Sequence, residues 1–332
     1  VRVLVTGAAG FIGHHFVEHV LRKTDWEVTG VVSFRHRGCP IRLQHLIEEP
    51  RLRLVKTELN APVSERVAWM MGEVDVVVNF ASESHVDRSI SEPRPFVLNN
   101  VELVMSMLDY ARQAKVKHFL QFSTDEVYGP APDGYQHREW DMILPSNPYS
   151  ASKAAQEALA IAWWRTYGVP VTIVNSMNLI GERQDAEKFV PTVIRKVMAG
   201  EPVPVYGATE AEVGSRMYLH ARNLSDGLCW LLQRPVTSYP ASDRPDRWHV
   251  VGEQEVNNLE MAQAIADILG RPLKYELVPM GHARPGHDRR YALDGSKLAA
   301  AGWEQPMDFW KSLTKTVMWT LDNPVWARGG GR

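Results

Sequence analysis

Apolar and β-branched residues gather in short runs at residues 1–5, 28–33, 52–56, 74–80, 118–123 and 169–175. Longer stretches with apolar residues at helical spacing lie between them, at 10–23, 96–114 and 149–167. Short β-branched runs read as buried strands, and the amphipathic stretches read as helices. Their alternation predicts an α/β fold, a doubly wound parallel (Rossmann) sheet of about six strands with helices on both faces. In such sheets ligands bind at the carboxyl ends of the strands, where strand order reverses.

After residue 176 the pattern changes to loops rich in glycine, proline and charge, with helices expected at 191–199 and 258–269. This predicts a smaller C-terminal, substrate-binding lobe. Residues 1–177 are read as a dinucleotide-binding domain, 178–328 as mainly the second lobe, interwoven with the first, and 329–332 as a tail.

Composition narrows the function classes. At 45% hydrophobic and 23% charged, the chain has material for a core and is not a disordered one. A net charge of -2 provides no global field, so neither nucleic acid nor a membrane surface is an expected partner. Cys39 and Cys229 are isolated, which suggests neither a disulfide framework nor a zinc site. With no leader pattern and no long apolar run, a soluble cytoplasmic protein is expected.

The chemistry begins at Thr6-Gly7-Ala8-Ala9-Gly10-Phe11-Ile12-Gly13, which follows the first strand and opens the first helix. Glycines there let backbone approach a pyrophosphate, and the helix N-terminus supplies amide donors. The second strand ends in Ser33-Phe34-Arg35-His36-Arg37, without the acid that usually binds the ribose hydroxyls of NAD. Ser33, Arg35 and Arg37 suit the 2′-phosphate of NADP instead, against the alternative that the arginines are solvated loop charges. His15-Phe16-Val17-Glu18-His19 has the spacing of a zinc-protease helix, but it falls on the first helix of the nucleotide fold and is read as a decoy; no metal is expected.

Tyr149 and Lys153 stand at i and i+4 on one helix face. The lysine charge is expected to lower the phenol's pKa and so make a base of the pair. Asp125 and Glu126 are adjacent carboxyls that, taken alone, read as a solvated pair at a strand end; in a cleft, their pKa values would push apart, as an acid and a base working together require.

The glycine turn and Tyr-x-x-x-Lys are the marks of the short-chain dehydrogenase superfamily, and the chain length is similar to its extended branch. Four stretches further resemble the dTDP-glucose 4,6-dehydratase family, within the NAD-dependent epimerases and dehydratases: 81–89, 123–129, 147–153 and 284–291. The resemblance implies a nucleoside-diphosphate-hexose 4,6-dehydratase, a hydro-lyase. Tyr149 would take the O4 proton, with Lys153 and Thr124 assisting, while a hydride leaves C4 for the cofactor. Glu126 would then remove the C5 proton, Asp125 would protonate the departing C6 hydroxyl, and the hydride would return to C6.

It also implies cofactor contacts from Gly7, Gly10, Phe11, Ile12, Gly13, Ser33, Arg35, Arg37, Glu58, Leu59, Ala81, Tyr149 and Lys153. Substrate contacts would come from Ser84, His85, Asn178, Lys188, Arg216, Arg284 and His287. The partner is a nucleoside-diphosphate hexose, and a homodimer is expected through the helices at 96–114 and 149–167. NAD is usual in the resembled family, whereas Ser33, Arg35 and Arg37 favour NADP; Glu58 replaces a usual aspartate. Base and hexose stay open. A 4-epimerase or decarboxylase on the same scaffold would share Tyr149 and Lys153 but has no use for Asp125-Glu126. A dinucleotide-binding sensor without turnover would not need the Thr124, Tyr149, Lys153 set.

Overall fold

Val3, Leu4 and Val5 are almost wholly buried, as strand residues must be when helices cover both faces of a parallel sheet. A computed structural model describes residues 1–35, 38–279 and 288–329. Its strands β1 (Arg2–Thr6), β2 (Glu27–Val32), β3 (Leu52–Lys56), β4 (Val76–Asn79), β5 (His118–Thr124) and β6 (Val171–Ser176) occupy the six predicted positions. The sheet has seven strands rather than six. Asp246–Val250 pairs parallel with β6 at the edge, giving the order Asp246–Val250, β6, β5, β4, β1, β2, β3.

The seventh strand escaped the sequence reading because Arg247 and His249 give it a polar pattern although both are buried. Arg247 is matched from a distant element. Its Nη2 donates to Glu157 Oε2 at 2.7 Å, and Glu157 is itself fully buried.

Helices α1 (Phe11–Lys23), α2 (Glu65–Met71), α3 (Val86–Ser91), α4 (Pro93–Ala114) and α5 (Pro148–Tyr167) follow. The helix α6 (Phe189–Ala199), then α7 (Ala221–Leu232) and α8 (Asn258–Ile268), come later in the chain. One face of the sheet is covered by α1 with α7, around Phe16, Val20, Leu224 and Leu228; the other is covered by α4 with α5, around Leu103, Met107 and Trp164. The short helices α2 and α3, the helix α7 and a last long one, Phe309–Asp322, were not anticipated. A separate apolar cluster of Val190, Ile194, Met261, Ile265, Leu313 and Val317 ties α6, α8 and Phe309–Asp322 together.

Strand order reverses between β1 and β4, whose last residues, Thr6 and Asn79, face one another in register. The crevice above them is the place for a ligand. Helix α5 is delivered to that crevice by a capping box: Ser150 N donates to Asn147 Oδ1, Asn147 N donates to Ser150 Oγ, and Pro148 takes the first turn. Tyr149 and Lys153 therefore sit in the first two turns of a firmly started helix.

Candidate active site

Gly7 adopts φ +66°, a left-handed conformation that a side chain disfavours, and its amide neighbour Gly10 donates back to the Gly7 carbonyl at 2.8 Å. A Cβ at Gly13 would collide with that same carbonyl oxygen, so the first turn of α1 can lie against the loop only without one. The result is a bare backbone cradle at a helix N-terminus, whose unpaired amides suit a diphosphate. It opens onto a cavity of about 810 Å³. Gly7, Gly10, Phe11, Ile12, Gly13, Ser33, Arg35, Glu58, Leu59 and Ala81 all line it, so the described residues fit a dinucleotide.

Thr124, Asp125, Glu126, Tyr149 and Lys153 line the same cavity. The chain leaves β5 at Thr124 and turns at once into a single 3-10 turn, Asp125–Tyr128, which Thr124 caps. Thr124 Oγ1 donates to Asp125 Oδ1 at 2.8 Å, and Asn147 Nδ2 donates to Glu126 Oε2 at 3.3 Å. Asp125 is 4% exposed, and burial raises its carboxyl to about 6 against the pull of Thr124 and Arg216. Burial and then the Asp125 charge raise Glu126 to about 7, opposed by Asn147, Arg216 and Lys188. Two carboxyls pushed up toward neutrality supply one acid and one base at working pH. The higher value falls on Glu126, whereas the resemblance gives the protonated role to Asp125. The reason is local: Asp125 has the Thr124 hydroxyl to steady its charge, and Glu126 has Asp125 as a neighbour.

The expectation that Lys153 lowers the Tyr149 phenol is not what the structure shows. Tyr149 is pushed well up, by burial first and then by Glu126, with a hydrogen bond to Thr124 as the opposing influence. Lys153 Nζ donates instead to the Phe122 carbonyl at 2.8 Å and to Gln156 Oε1 at 2.7 Å. It is 3% exposed, and burial brings its ammonium down to about 7, with Glu157 opposing.

Ser84, His85, Asn178, Lys188 and Arg216 line the cavity as well. The Arg216 guanidinium donates to the carbonyls of Ser215, Arg289 and Asp288 and lies 4.7 Å from the Tyr291 ring centroid. His85 caps α3 through Nδ1 and faces Glu187 Oε1 at 3.5 Å. Arg37, Arg284 and His287 lie outside the described residues. The zinc-like spacing on α1 is explained by other partners. His15 Nε2 meets the Glu182 carbonyl at 3.0 Å, His19 faces Asp226 at 3.7 Å, and Glu18 holds Arg22, His45 and Arg183. Among the described residues no group of three or more His, Cys, Asp or Glu side chains is arranged to hold a metal.

Residues 3–243 match the model of the NAD dependent epimerase/dehydratase family. The chain belongs to that family. Within it, a dTDP-glucose 4,6-dehydratase of Actinoplanes sp. is 34% identical over 332 residues, covering 98% of this chain and 99% of that one. The low-salt glycan biosynthesis protein Agl12 of Haloferax volcanii is 35% identical over 319 residues, covering 96% and 98%. Among solved structures, the dTDP-glucose 4,6-dehydratase DesIV of Streptomyces venezuelae, solved with NAD bound, superimposes with a TM-score of 0.87 at 33% identity, over 98% of both chains.

This epimerase/dehydratase family member also has site residues that sequence reasoning missed. Asn147 caps α5 and reaches Glu126; its place just before Pro148-Tyr149 was visible, but the carboxylate it touches comes from another element. Tyr206, Tyr218 and Asn258 bring polar groups of the smaller lobe to the cavity wall, and no spacing in the sequence links them.

Proposed function

We propose that the chain is a nucleoside-diphosphate-hexose 4,6-dehydratase that uses a bound nicotinamide dinucleotide. The observation that carries this reading is the adjacent Asp125-Glu126 pair, the first buried and the second half-buried, both carboxyls raised toward neutrality, in one cavity with Tyr149, Thr124 and the glycine cradle. An epimerase needs the phenol and the cradle but has no step for that pair.

Gly7, Gly10 and Gly13 with the N-terminus of α1 would hold the dinucleotide's diphosphate, and Ser33, Arg35, Glu58 and Leu59 its adenosine end. When bound, the nicotinamide supplies the chemistry of accepting a hydride from C4 and returning it at C6. Tyr149, hydrogen-bonded to Thr124, takes the O4 proton as C4 is oxidised, a step that requires the phenolate and therefore a bound state that favours ionisation over the resting one. The resulting ketone acidifies C5, from which Glu126 removes the proton, and Asp125 delivers a proton to the C6 hydroxyl as it leaves. Lys188 and Arg216, with Asn178, would meet the substrate diphosphate, and Ser84 and His85 the sugar; all five line the cavity.

The relatives' names make thymidine-diphosphate glucose the first substrate to try. With deuterium at C4, the product is expected to have lost one water and to carry the label at C6, read by mass spectrometry and NMR. A product of unchanged mass with C4 inverted would overturn the dehydratase reading.

Arg35 Nη1 is bound to Glu58 Oε2 at 2.5 Å, which balances the charge that favoured NADP in the sequence. We infer that this pair tilts selection to NAD. Titration of the unmodified protein is expected to give tighter NAD binding, and Glu58→Gln, by freeing Arg35, to move the preference toward NADP by about tenfold, the scale of one charge-assisted hydrogen bond. Unchanged selectivity in Glu58→Gln would refute the inference.

A homodimer remains a proposal. It is supported by an apolar strip with Leu98 and Met105 exposed and Val101 half-buried along α4, and Ala151, Ala158 and Ala162 exposed and Ala155 half-buried along α5. Self-complementary pairing of such a face is the commonest closed symmetry. Light scattering at the monomer mass across micromolar concentrations would exclude it. Among the described residues no helix is long and apolar enough to cross a membrane.

A further inference from the structure

Beneath the cavity floor runs a continuous seam of buried amide and hydroxyl side chains. Ala81 N donates to Thr6 Oγ1 at 3.0 Å, and Thr6 Oγ1 donates to Asn79 Oδ1 at 2.6 Å. Asn79 Nδ2 donates to Gln121 Oε1 at 2.9 Å, and Gln121 Nε2 donates to Gln156 Oε1 at 3.2 Å and to the Phe122 carbonyl at 2.9 Å. Each of these side chains is at most 1% exposed. From Ala81 to Gln121 the donors point onward, toward the two oxygens that hold Lys153.

Gln156 closes the seam. Its Nε2 donates to the Asn100 carbonyl at 2.7 Å, which fixes the amide's orientation, because the reversed amide would set donor against ammonium and acceptor against acceptor. Its Oε1 is thereby committed to face Lys153 Nζ. An ammonium has three N–H groups. Gln156 Oε1 and the Phe122 carbonyl take two, both from neutral acceptors below, and Lys153 lines the cavity with the third available to it.

We propose that Gln156 is a positioning residue that fixes the height and the charge of the Lys153 ammonium at the cavity floor. Nothing in Gln156 reaches the cavity; it acts only through the lysine. The role rests on the reading of Lys153 as an assistant to Tyr149 given above. The titratable groups around the lysine are Glu157 and Tyr149 on its own helix, and Asp125 and Glu126 across the cavity; of these Glu157 supports its charge. Glu157 is already paired to Arg247 and Asn175, so the nearer support comes from neutral oxygens.

A hydrogen bond to the charged form holds a pKa up, and losing one of the two lets burial pull it down by about one pH unit. The sign follows: a lysine that must be protonated is lost as pH rises through its midpoint, so a lower midpoint brings the alkaline loss of activity to lower pH. Gln156→Met keeps the volume and removes the acceptor. Gln156→Glu keeps an acceptor in the same place.

The Lys153 midpoint can be read without turnover, by competitive acylation of the whole protein across a pH series and peptide mass spectrometry. Expected results are a midpoint lower by about one unit in Gln156→Met and at or above the unmodified value in Gln156→Glu. With the nucleotide sugar, Gln156→Met is expected to lose kcat about tenfold above neutrality, to recover on acidification, and to keep KM within about twofold. A residue that merely fills space would lower kcat by the same factor at every pH, without recovery on acidification. An unchanged Lys153 midpoint in Gln156→Met overturns the proposal. If the midpoint shifts as described and no nucleoside-diphosphate hexose is turned over by any form, it is the dehydratase reading that fails and the positioning role that stands.

Discussion

Glu126→Gln is expected to lose dehydrated product by about 10² to 10⁴ while the cofactor is still reduced. In the proposed mechanism oxidation at C4 draws on Tyr149, Thr124 and Lys153, all of which the substitution leaves in place, and loss of the Glu126 charge eases ionisation of Tyr149. Glutamine keeps the shape of the side chain and leaves Asn147 a partner, but it cannot accept the C5 proton. Tyr149→Phe, which removes the first base, should silence both signals. Stopped-flow absorbance of the reduced nicotinamide, run beside mass spectrometry of the product, separates the steps. Equal loss of both signals in Glu126→Gln would mean that the pair is structural.

The same substitution has an effect on stability whose sign is fixed. The folded protein holds Glu126 at about 7, above its unfolded value, so the fold is favoured while the group stays protonated and loses that advantage as pH rises through about 7. A neutral glutamine has no such loss. Glu126→Gln should therefore melt higher than the unmodified protein at pH 8 and close to it at pH 5, a gain in stability where function is lost.

The second large effect is expected at the glycine cradle. Gly10→Val should weaken dinucleotide binding by about a hundredfold or more, equivalent to about 2.7 kcal/mol, because a branched side chain would stand where the diphosphate must approach the backbone. Gly13→Ala acts differently. Its methyl group meets the Gly7 carbonyl oxygen and the Ala8 Cα, so the first turn of α1 must move away from the loop. Overpacking of this kind costs about 1–3 kcal/mol and should lower Tm together with affinity. Calorimetric titration and thermal melting of the two variants distinguish block from displacement. Undiminished binding in Gly10→Val would remove the cradle from the cofactor site.

What could be read in the sequence was what is local. Val76-Val77-Val78 declares a buried strand by itself, the glycines of the first turn declare a close backbone approach, and Tyr149 and Lys153 declare a shared helix face. Asp246–Val250 declares nothing of the kind, since Arg247 becomes a strand residue only where Glu157 waits for it. The environment of Lys153 was equally hidden. Spacing placed it one turn from Tyr149, but its bonds go to Phe122 and Gln156, and Gln156 is held in turn by Asn100 and Gln121. The partner of Arg35 was hidden in the same way: a cation without an acid beside it in sequence has one beside it in space, Glu58, just past the end of the next strand.

The strand Asp246–Val250 also governs when the protein can finish folding. It must come back from far along the chain to reach β6, a parallel pairing across a long loop that forms slowly. In the folded sheet Glu157 is buried and met by the Arg247 guanidinium, and a buried charge stripped of its partner costs about 3–5 kcal/mol. Asn175 joins Glu157 to the carbonyl of Thr124, so the segment that presents the acid and base is tied to that same late event. A nascent chain that has emerged only as far as α7 has every residue of the Tyr149, Lys153, Asp125 and Glu126 set and lacks the partner that lets them settle. The placing of Asp125 and Glu126 is thus coupled to the docking of the sheet's edge strand.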